Sequence, residues 1–312
     1  MVTKGHEGKL KGRPKGYHDI DGQSVFLGKA APRGAQQTVF TDVKVRFSKS
    51  ATGRLLVNKN ADLVLDDGAR RLIVKNKAHP LDVGYDDVQR LVFDLTTHMR
   101  GGGGGGLLGA AIASRLATDH WCYLEYKGTD GSAQPFLLKV PDESSANLIE
   151  KMKGLFDSKV EIAAYVEQDS VIEKETLKDA KSKHVVRLDK QNHPIPDLRA
   201  DKALVVVVCP ALKPEHVGIS GHFKFHANDR VVAVNEEGPY SFVHMDPGEY
   251  VLASQAENAS GFRMTLEAGK DYYFMQNMFM GMMNPKTTLT RHSKELVMYE
   301  VNGSYYSDWK PK

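Results

Sequence analysis

From Phe40 onward the chain reads as short runs in which apolar and polar positions alternate, punctuated by turn-forming residues. FTDVKVRF sets Phe40, Val43, Val45 and Phe47 against polar neighbours, with one slip in the alternation. GRLLVN, ADLVLDD, RRLIVKN, QRLVFDLTTH, HWCYLEYKG and QPFLLKV follow, with breakers at DDG (66–68), HP (79–80) and GTDG (128–131). A period of two marks a strand with one buried face. Seven such runs at this spacing predict a small barrel or sandwich. After Pro141 the period changes: DESSANLIEKMKGLF puts Leu148, Ile149, Met152 and Leu155 on one helical face. Asp142 or Ser144 is placed to cap that helix, and Glu143 suits its positive end.

The pattern then loosens. VEIAAYV has the text of one more strand, and EQDSVIEKETLKDAKSKH is charged and only weakly amphipathic. With Pro194 and Pro196 breaking regularity, residues 161–202 read as a connector carrying a short helix. ALVVVVC opens the last part as a continuous apolar run, expected to be a central strand buried on both faces. HFKFHA, RVVAVN, YSFVHM, EYVLASQA, FRMTLEA, DYYFMQNMFM and ELVMYEV follow, separated by HAND, EEGPY, DPGEY, NASG and EAGKD. SKELVMYE is ambiguous between strand and helix. The predicted fold is mainly β: a seven-stranded barrel with a C-terminal helix over 39–160, then an antiparallel β-sandwich over 203–312.

Composition adds little until it is mapped. The net charge of +3 does not suggest a nucleic-acid partner, and 41% hydrophobic content is ordinary for a globular chain. Residues 1–38, however, hold Lys4, Lys9, Lys11, Arg13, Lys15, Lys29 and Arg33 against Glu7, Asp19 and Asp21. This segment reads as a basic, Gly-rich, poorly ordered arm. No apolar core follows its basic residues, so the expectation is a cytoplasmic protein if Met1 is the native start, and the cell envelope if a signal segment was removed. Cys122 and Cys209 each sit in a strand-like run and are expected to be free, buried thiols.

MRGGGGGGLLGAAIASRLA, within an insertion assigned to 99–118, is the most unusual stretch. A phosphate loop would need Lys-Ser/Thr after its last glycine, where Leu107 and Leu108 stand. A dinucleotide turn would leave its strand directly. A membrane span would need about 20 apolar residues. What remains is a glycine-rich tether carrying a short helix over 107–117, with Leu108, Ile112 and Leu116 on one stripe.

Two resemblances follow from quoted residues. GRLLVN…ADLVLDD…RRLIV, GYDDVQRLVF and WCYLEYKG…QPFLLKV before a helix resemble pleckstrin-homology-like domains of the bacterial and GRAM type. The resemblance implies a binding or scaffolding module whose helix plugs one barrel end. It does not imply phosphoinositide binding, because the candidate loops offer only Lys49, Arg54 and Lys59. GPYSFVHMDPGEYVL…RMTLEAGKDYYF resembles an uncharacterised bacterial β-sandwich family of transthyretin and carboxypeptidase-regulatory type. Its marks are Pro247, Gly248, Tyr250 and Leu252, then Leu266, Ala268, Gly269, Tyr272 and Tyr273. Pro247-Gly248 is expected to form a type II turn, with the Tyr250 hydroxyl bonding a loop.

Candidate chemistry is sparse. His222 and His226 share a strand face but stand roughly 13 Å apart, so they cannot chelate one ion alone. Met275, Met278, Met280, Met282 and Met283 suggest adaptable packing or a contact surface rather than a copper site. Carboxylate pairs Asp66/Asp67, Asp86/Asp87 and Glu236/Glu237 fall in turn-like text, and the aromatic tail (Tyr305, Tyr306, Trp309) is expected to pin the C-terminus. The resulting expectation is a non-enzymatic binding or scaffolding protein with no cofactor or metal and a protein partner. Its candidate contact surface is Leu108, Ile112, Leu116, Met278, Met280 and Met282. The alternatives are peripheral membrane attachment through the basic arm and the Leu107–Leu116 helix, and a hydrolase with an inter-domain site based on His222, His226 or His244.

Overall fold

The computed structural model describes residues 17–19, 36–48, 56–99, 116–166, 170–171, 177, 183–189, 191, 193–210, 222–236, 238–280 and 285–312. The fold is mainly β, as the alternation requires. In the N-terminal unit the strands are β1 (Tyr17–Asp19), β2 (Gln37–Ser48), β3 (Leu56–Asp66), β4 (Arg71–Lys75) and β5 (Leu81–Gly84). They continue with β6 (Val88–Met99), β7 (Leu116–Lys127) and β8 (Ala133–Val140), before helix α1 (Asp142–Phe156) and strand β9 (Val160–Val166). They form one nine-stranded sheet in the order β5-β4-β3-β2-β8-β7-β6-β9, with β1 paired to β2 off this path.

That sheet wraps a single core. Phe40, Val45, Leu63, Leu72, Val83, Leu91, Phe93 and Leu138 belong to one buried cluster, which Leu148, Met152 and Phe156 of α1 complete. The predicted helix and its face are therefore present, although its apolar contacts run Leu148–Met152–Phe156, with Ile149 and Leu155 only partly buried. Neither predicted cap acts: the N-cap is Pro141, without a side-chain bond, and Ser144 donates to the Pro141 carbonyl. GRLLVN and ADLVLDD, expected as two strands, merge into β3, because β2 pairs along both. The short β5 was not anticipated.

The C-terminal unit holds β10 (Ser170–Val171), β11 (His184–Asp189), β12 (Ala203–Val208), β13 (Phe223–Ala227), β14 (Arg230–Asn235) and β15 (Pro239–Met245). It is completed by β16 (Gly248–Gln255), β17 (Ala259–Leu266), β18 (Asp271–Met280), β19 (Pro285–His292), helix α2 (Lys294–Asn302) and β20 (Tyr305–Pro311). A five-stranded sheet, β10-β17-β16-β13-β14, faces a six-stranded one, β11-β20-β15-β12-β18-β19. The sandwich is not purely antiparallel: β12 runs parallel to β18, and β15 to β20. SKELVMYE resolves as helix, capped by the Ser293 hydroxyl on the Leu296 N–H. The aromatic tail is pinned as expected, as strand β20 between β11 and β15. Residues 161–202 are not a spacer, since β9, β10 and β11 contribute to three different sheets.

Between the two sheets Val205, Val207, Phe225, Leu252, Phe262 and Phe274 pack together. The same layer then turns polar without losing its bonds. Ser241 Oγ donates to Asn235 Oδ1 (2.7 Å), Asn235 Nδ2 to Gln276 Oε1 (2.8 Å), and Gln276 Nε2 to Ser254 Oγ (3.0 Å), which lies 2.7 Å from Thr287 Oγ1. A buried polar chain costs little when each group has a partner, and it penalises any slip in register.

Two glycines depart from expectation. Gly248 has φ +155°, not the roughly +80° of a type II turn, and it opens β16. The Tyr250 hydroxyl nevertheless donates to the Asp246 carbonyl, 3.0 Å away. NASG is not a turn at its glycine: Gly261 lies inside β17, opposite Ala253 of β16 and Ser170 of β10. A Cβ on Gly261 would stand 2.0 Å from the Leu252 carbonyl oxygen and 2.7 Å from Ala253 Cα, both backbone atoms. Cys122 and Cys209 are free and buried, and burial pushes the Cys122 thiol up to about 12. We predict that Gly261→Ala lowers stability by about 2 to 3 kcal/mol, read as a lower urea midpoint at constant slope.

Candidate functional site

The faces of the first sheet that point away from its core decide how the two units meet. Alternation puts Arg46, Leu137, Tyr123, Val92 and Glu161 in one cross-strand row, and Lys44, Lys139, Trp121, Asp94 and Ala163 in the next. Helix α2 lies across these rows, with Glu295 at the β6 side and Glu300 at the β2 side. Trp121 and Leu137 from the first sheet join Leu204, Val206, Val208, Tyr273, Leu296, Val297 and Val301 in one buried cluster. Strand β12 is thus buried on both faces, as its unbroken apolar run requires.

Polar groups are set into this apolar seam, and each crosses it. Asp94, fully buried, accepts from the Ser293 backbone N–H (Oδ2, 2.5 Å) and lies 3.0 Å from His292 Nδ1 through Oδ1. The Thr96 hydroxyl is 2.9 Å from Asp94 Oδ1 and 3.0 Å from the Arg291 carbonyl. On the far side of the imidazole, Nε2 is 2.8 Å from Thr290 Oγ1, which also accepts from Asn277 Nδ2 (2.8 Å). Burial alone would push the Asp94 carboxyl up. The charge and hydrogen bond of His292, the Ser293 N–H and the Thr96 hydroxyl outweigh it and hold the group below the usual carboxylate range.

Two ion pairs flank this centre. Arg46 grips Glu300 through Nε (2.5 Å) and Nη2 (2.7 Å), both side chains buried, while the Tyr299 hydroxyl donates to the Arg46 carbonyl at 2.7 Å. Burial would lower the Arg46 pKa, and Glu300 more than offsets this and raises it. At the other end Arg90 makes a fork to Glu161 (2.6 and 2.7 Å) and reaches Glu295 with Nη1 (2.8 Å). The Arg291 guanidinium packs against Tyr165 of β9 and Tyr272 of β18, at 4.6 and 5.3 Å from the ring centroids. Beside it lies a cleft of about 240 Å³ lined by residues that include Glu161, Tyr165, Asp271, Tyr273, Lys294 and Glu295.

The order Thr290–His292–Asp94 has the connectivity of a hydroxyl–imidazole–carboxylate relay. Its surroundings suit fixation rather than reaction. Thr290 is 1% exposed and His292 3%, and the hydroxyl is already engaged by Asn277. Both ring nitrogens of His292 already have partners, Nδ1 at Asp94 and Nε2 at Thr290, so the ring keeps no open nitrogen. The network is a clasp between β6 and β19.

The residues singled out in the sequence are not brought together. Leu108, Ile112, Met282 and the six glycines lie outside the described residues. Leu116 and Ala117 are in strand β7, opposite Met99 and His98, rather than in the expected helix, because the β6–β7 ladder continues through them. Met278 is buried beside Cys209 and Phe223, not on a contact surface, and Met280 ends β18. His222 lies 3.1 Å from Glu236, His226 is bonded to Gln255, and His244 to the Asp197 carbonyl, three separate places. Asp66 and Asp67 hold turns and Lys151 rather than a substrate. Among the described residues no group of three or more His, Cys, Asp or Glu is placed to hold a metal, and no helix is long and apolar enough to cross a membrane. Asp94, Arg46, His292 and Glu300 had one available signal each: a charged or polar residue inside an apolar strand or helix text, as in LVFDL and VKVRF. No protein-family model matches the chain, and no curated protein is detectably similar to it in sequence.

Two outcomes are expected. Glu300→Ala, which strands Arg46 in a dry seam, should cost about 3 to 5 kcal/mol, whereas Arg46→Met with Glu300→Leu should recover most of it; denaturant titration of the three proteins checks this. For Asp94 the folded carboxyl titrates below the unfolded one, so its contribution is complete above the unfolded value. It should fade as pH falls below about 4. Asp94→Asn should flatten that acid limb of stability against pH, measured by thermal melts.

Proposed function

We propose that the protein is a non-catalytic binding and scaffolding module that works through protein contacts. The observation that carries this reading is the use made of the seam's reactive groups. Asp94, His292, Arg46 and Glu300 are spent on one another, and they join two β units into one body. The pleckstrin-homology-like and transthyretin-like resemblances of the two units point the same way, since both are binding folds. The strand order β5-β4-β3-β2-β8-β7-β6 with α1 inside its core supports the first of them. A hydrolase based on His222, His226 or His244 has less support, because those rings sit apart. Purified protein is expected to turn over none of a panel of esters, phosphoesters, peptides and nucleotides. A turnover that disappears when one polar residue, His292 included, is substituted without loss of fold would replace this reading with an enzymatic one.

A further inference from the structure

The last turn of α2 carries a chemistry that the seam does not use. Asn302 ends the helix, exposed to solvent, and Gly303 follows it; the chain holds no other Asn–Gly pair. A side-chain amide that precedes glycine is open to attack by the next backbone nitrogen, because glycine has no Cβ to obstruct the approach. Water is the sole co-reactant. The Gly303 nitrogen, having lost its proton to solvent base, bonds to Asn302 Cγ; the Cγ–Nδ2 bond breaks, and ammonia leaves with a proton taken from solvent. Water then opens the cyclic imide at either carbonyl, which leaves aspartate or isoaspartate in place of asparagine.

The folded geometry holds this reaction back. The Gly303 N–H donates to the Glu300 carbonyl at 3.1 Å, and the same carbonyl accepts from the Ser304 hydroxyl at 2.7 Å. The nitrogen stays engaged while the turn stays helical, and helix ends fray unless something fixes them. Here the fixing groups belong to that turn. Glu300 is forked to Arg46, and the Tyr299 hydroxyl is bonded to the Arg46 carbonyl, so the turn is tied to β2. Just downstream, Tyr305 is registered against Pro239 of β15, and Tyr306 against Asp189 of β11. Either product disturbs this junction. A new carboxylate meets the negative end of the helix, and isoaspartate inserts one more main-chain carbon between α2 and β20.

We propose that Asn302–Gly303 is a self-modification site, an intramolecular deamidation that the Arg46–Glu300 fork restrains. When the fork is lost the last turn opens, and the reaction records that opening irreversibly in covalent form. The inference concerns the clasp itself and goes beyond the scaffolding reading, which it neither needs nor affects.

The test incubates the full chain in mildly alkaline buffer, folded and in guanidinium, and follows Asn302 by peptide mapping with mass spectrometry. Folded wild type should convert about tenfold or more slowly than the unfolded chain. Glu300→Gln, which leaves Arg46 without its counter-charge, should raise the folded-state rate about tenfold. Gly261→Ala, which weakens the sheet that does not carry α2, should leave that rate unchanged and so separates local opening from global unfolding. Gly303→Ala, at φ −93° where any residue fits, should slow conversion about tenfold or more. Asn302→Asp should lower the thermal midpoint, as its charge at the helix end requires. Folded wild type converting as fast as the unfolded chain overturns the proposal, as does a Glu300→Gln rate no higher than wild type or one that Gly261→Ala matches. Conversion that Gly303→Ala leaves unchanged overturns it too, and so does the absence of conversion in every folded variant.

Discussion

A charge removed from water must meet an opposite charge or a set of donors, or the structure that buries it does not persist. In this protein the first unit places Asp94 and Arg46 on the outward face of its sheet, where Thr96 and Asn58 reach them but the charged partners come from the other unit. Both are completed by the same short stretch of the second unit, residues 292 to 300. The clasp is therefore less a decoration of an existing interface than the condition for having one. Once α2 is drawn across β2, β8, β7 and β6 to meet those charges, Trp121 and Leu137 acquire apolar neighbours. The relative placement of the units is then over-determined.

This arrangement favours precision over adhesion. An apolar seam supplies adhesion without fixing which group meets which, because the hydrophobic effect is non-directional. A fork such as Arg46–Glu300, or a carboxylate shared by an imidazole and a backbone N–H, tolerates little sliding. The polar chain inside the sandwich, Ser241–Asn235–Gln276–Ser254–Thr287, does the same for the two facing sheets. Rigidity of this kind suits a body that presents surfaces at fixed spacing.

The local text carried most of the strands, because alternation reports a single buried face and most strands here have one. It carried α1 as well, from the change of period after Pro141. It failed where a residue's partner lies far along the chain. Nothing adjacent to Asp94 or Glu300 says that their partners stand 198 and 254 residues away. Within the connector VEIAAYV reads as a strand and is one, β9, whereas β11 is a strand because a distant edge receives it, not because its own residues insist. Gly261 looked like a turn because glycine marks turns. Here it marks two backbones too close for a side chain. The Tyr250 hydroxyl and the two thiols were legible because burial and a neighbouring carbonyl are local matters.

The chain separation of the clasp also has a temporal side. Arg46 and Asp94 leave the ribosome long before Glu300 and His292 exist. At roughly 5 to 20 residues per second, the intervening stretch takes on the order of 10 to 50 s to synthesise. During that interval the first sheet can already be folded, with Trp121, Leu137 and two uncompensated charges facing solvent. A nascent chain at this stage is a recognisable, half-apolar surface waiting for its own continuation, and whatever shelters it must yield when α2 arrives.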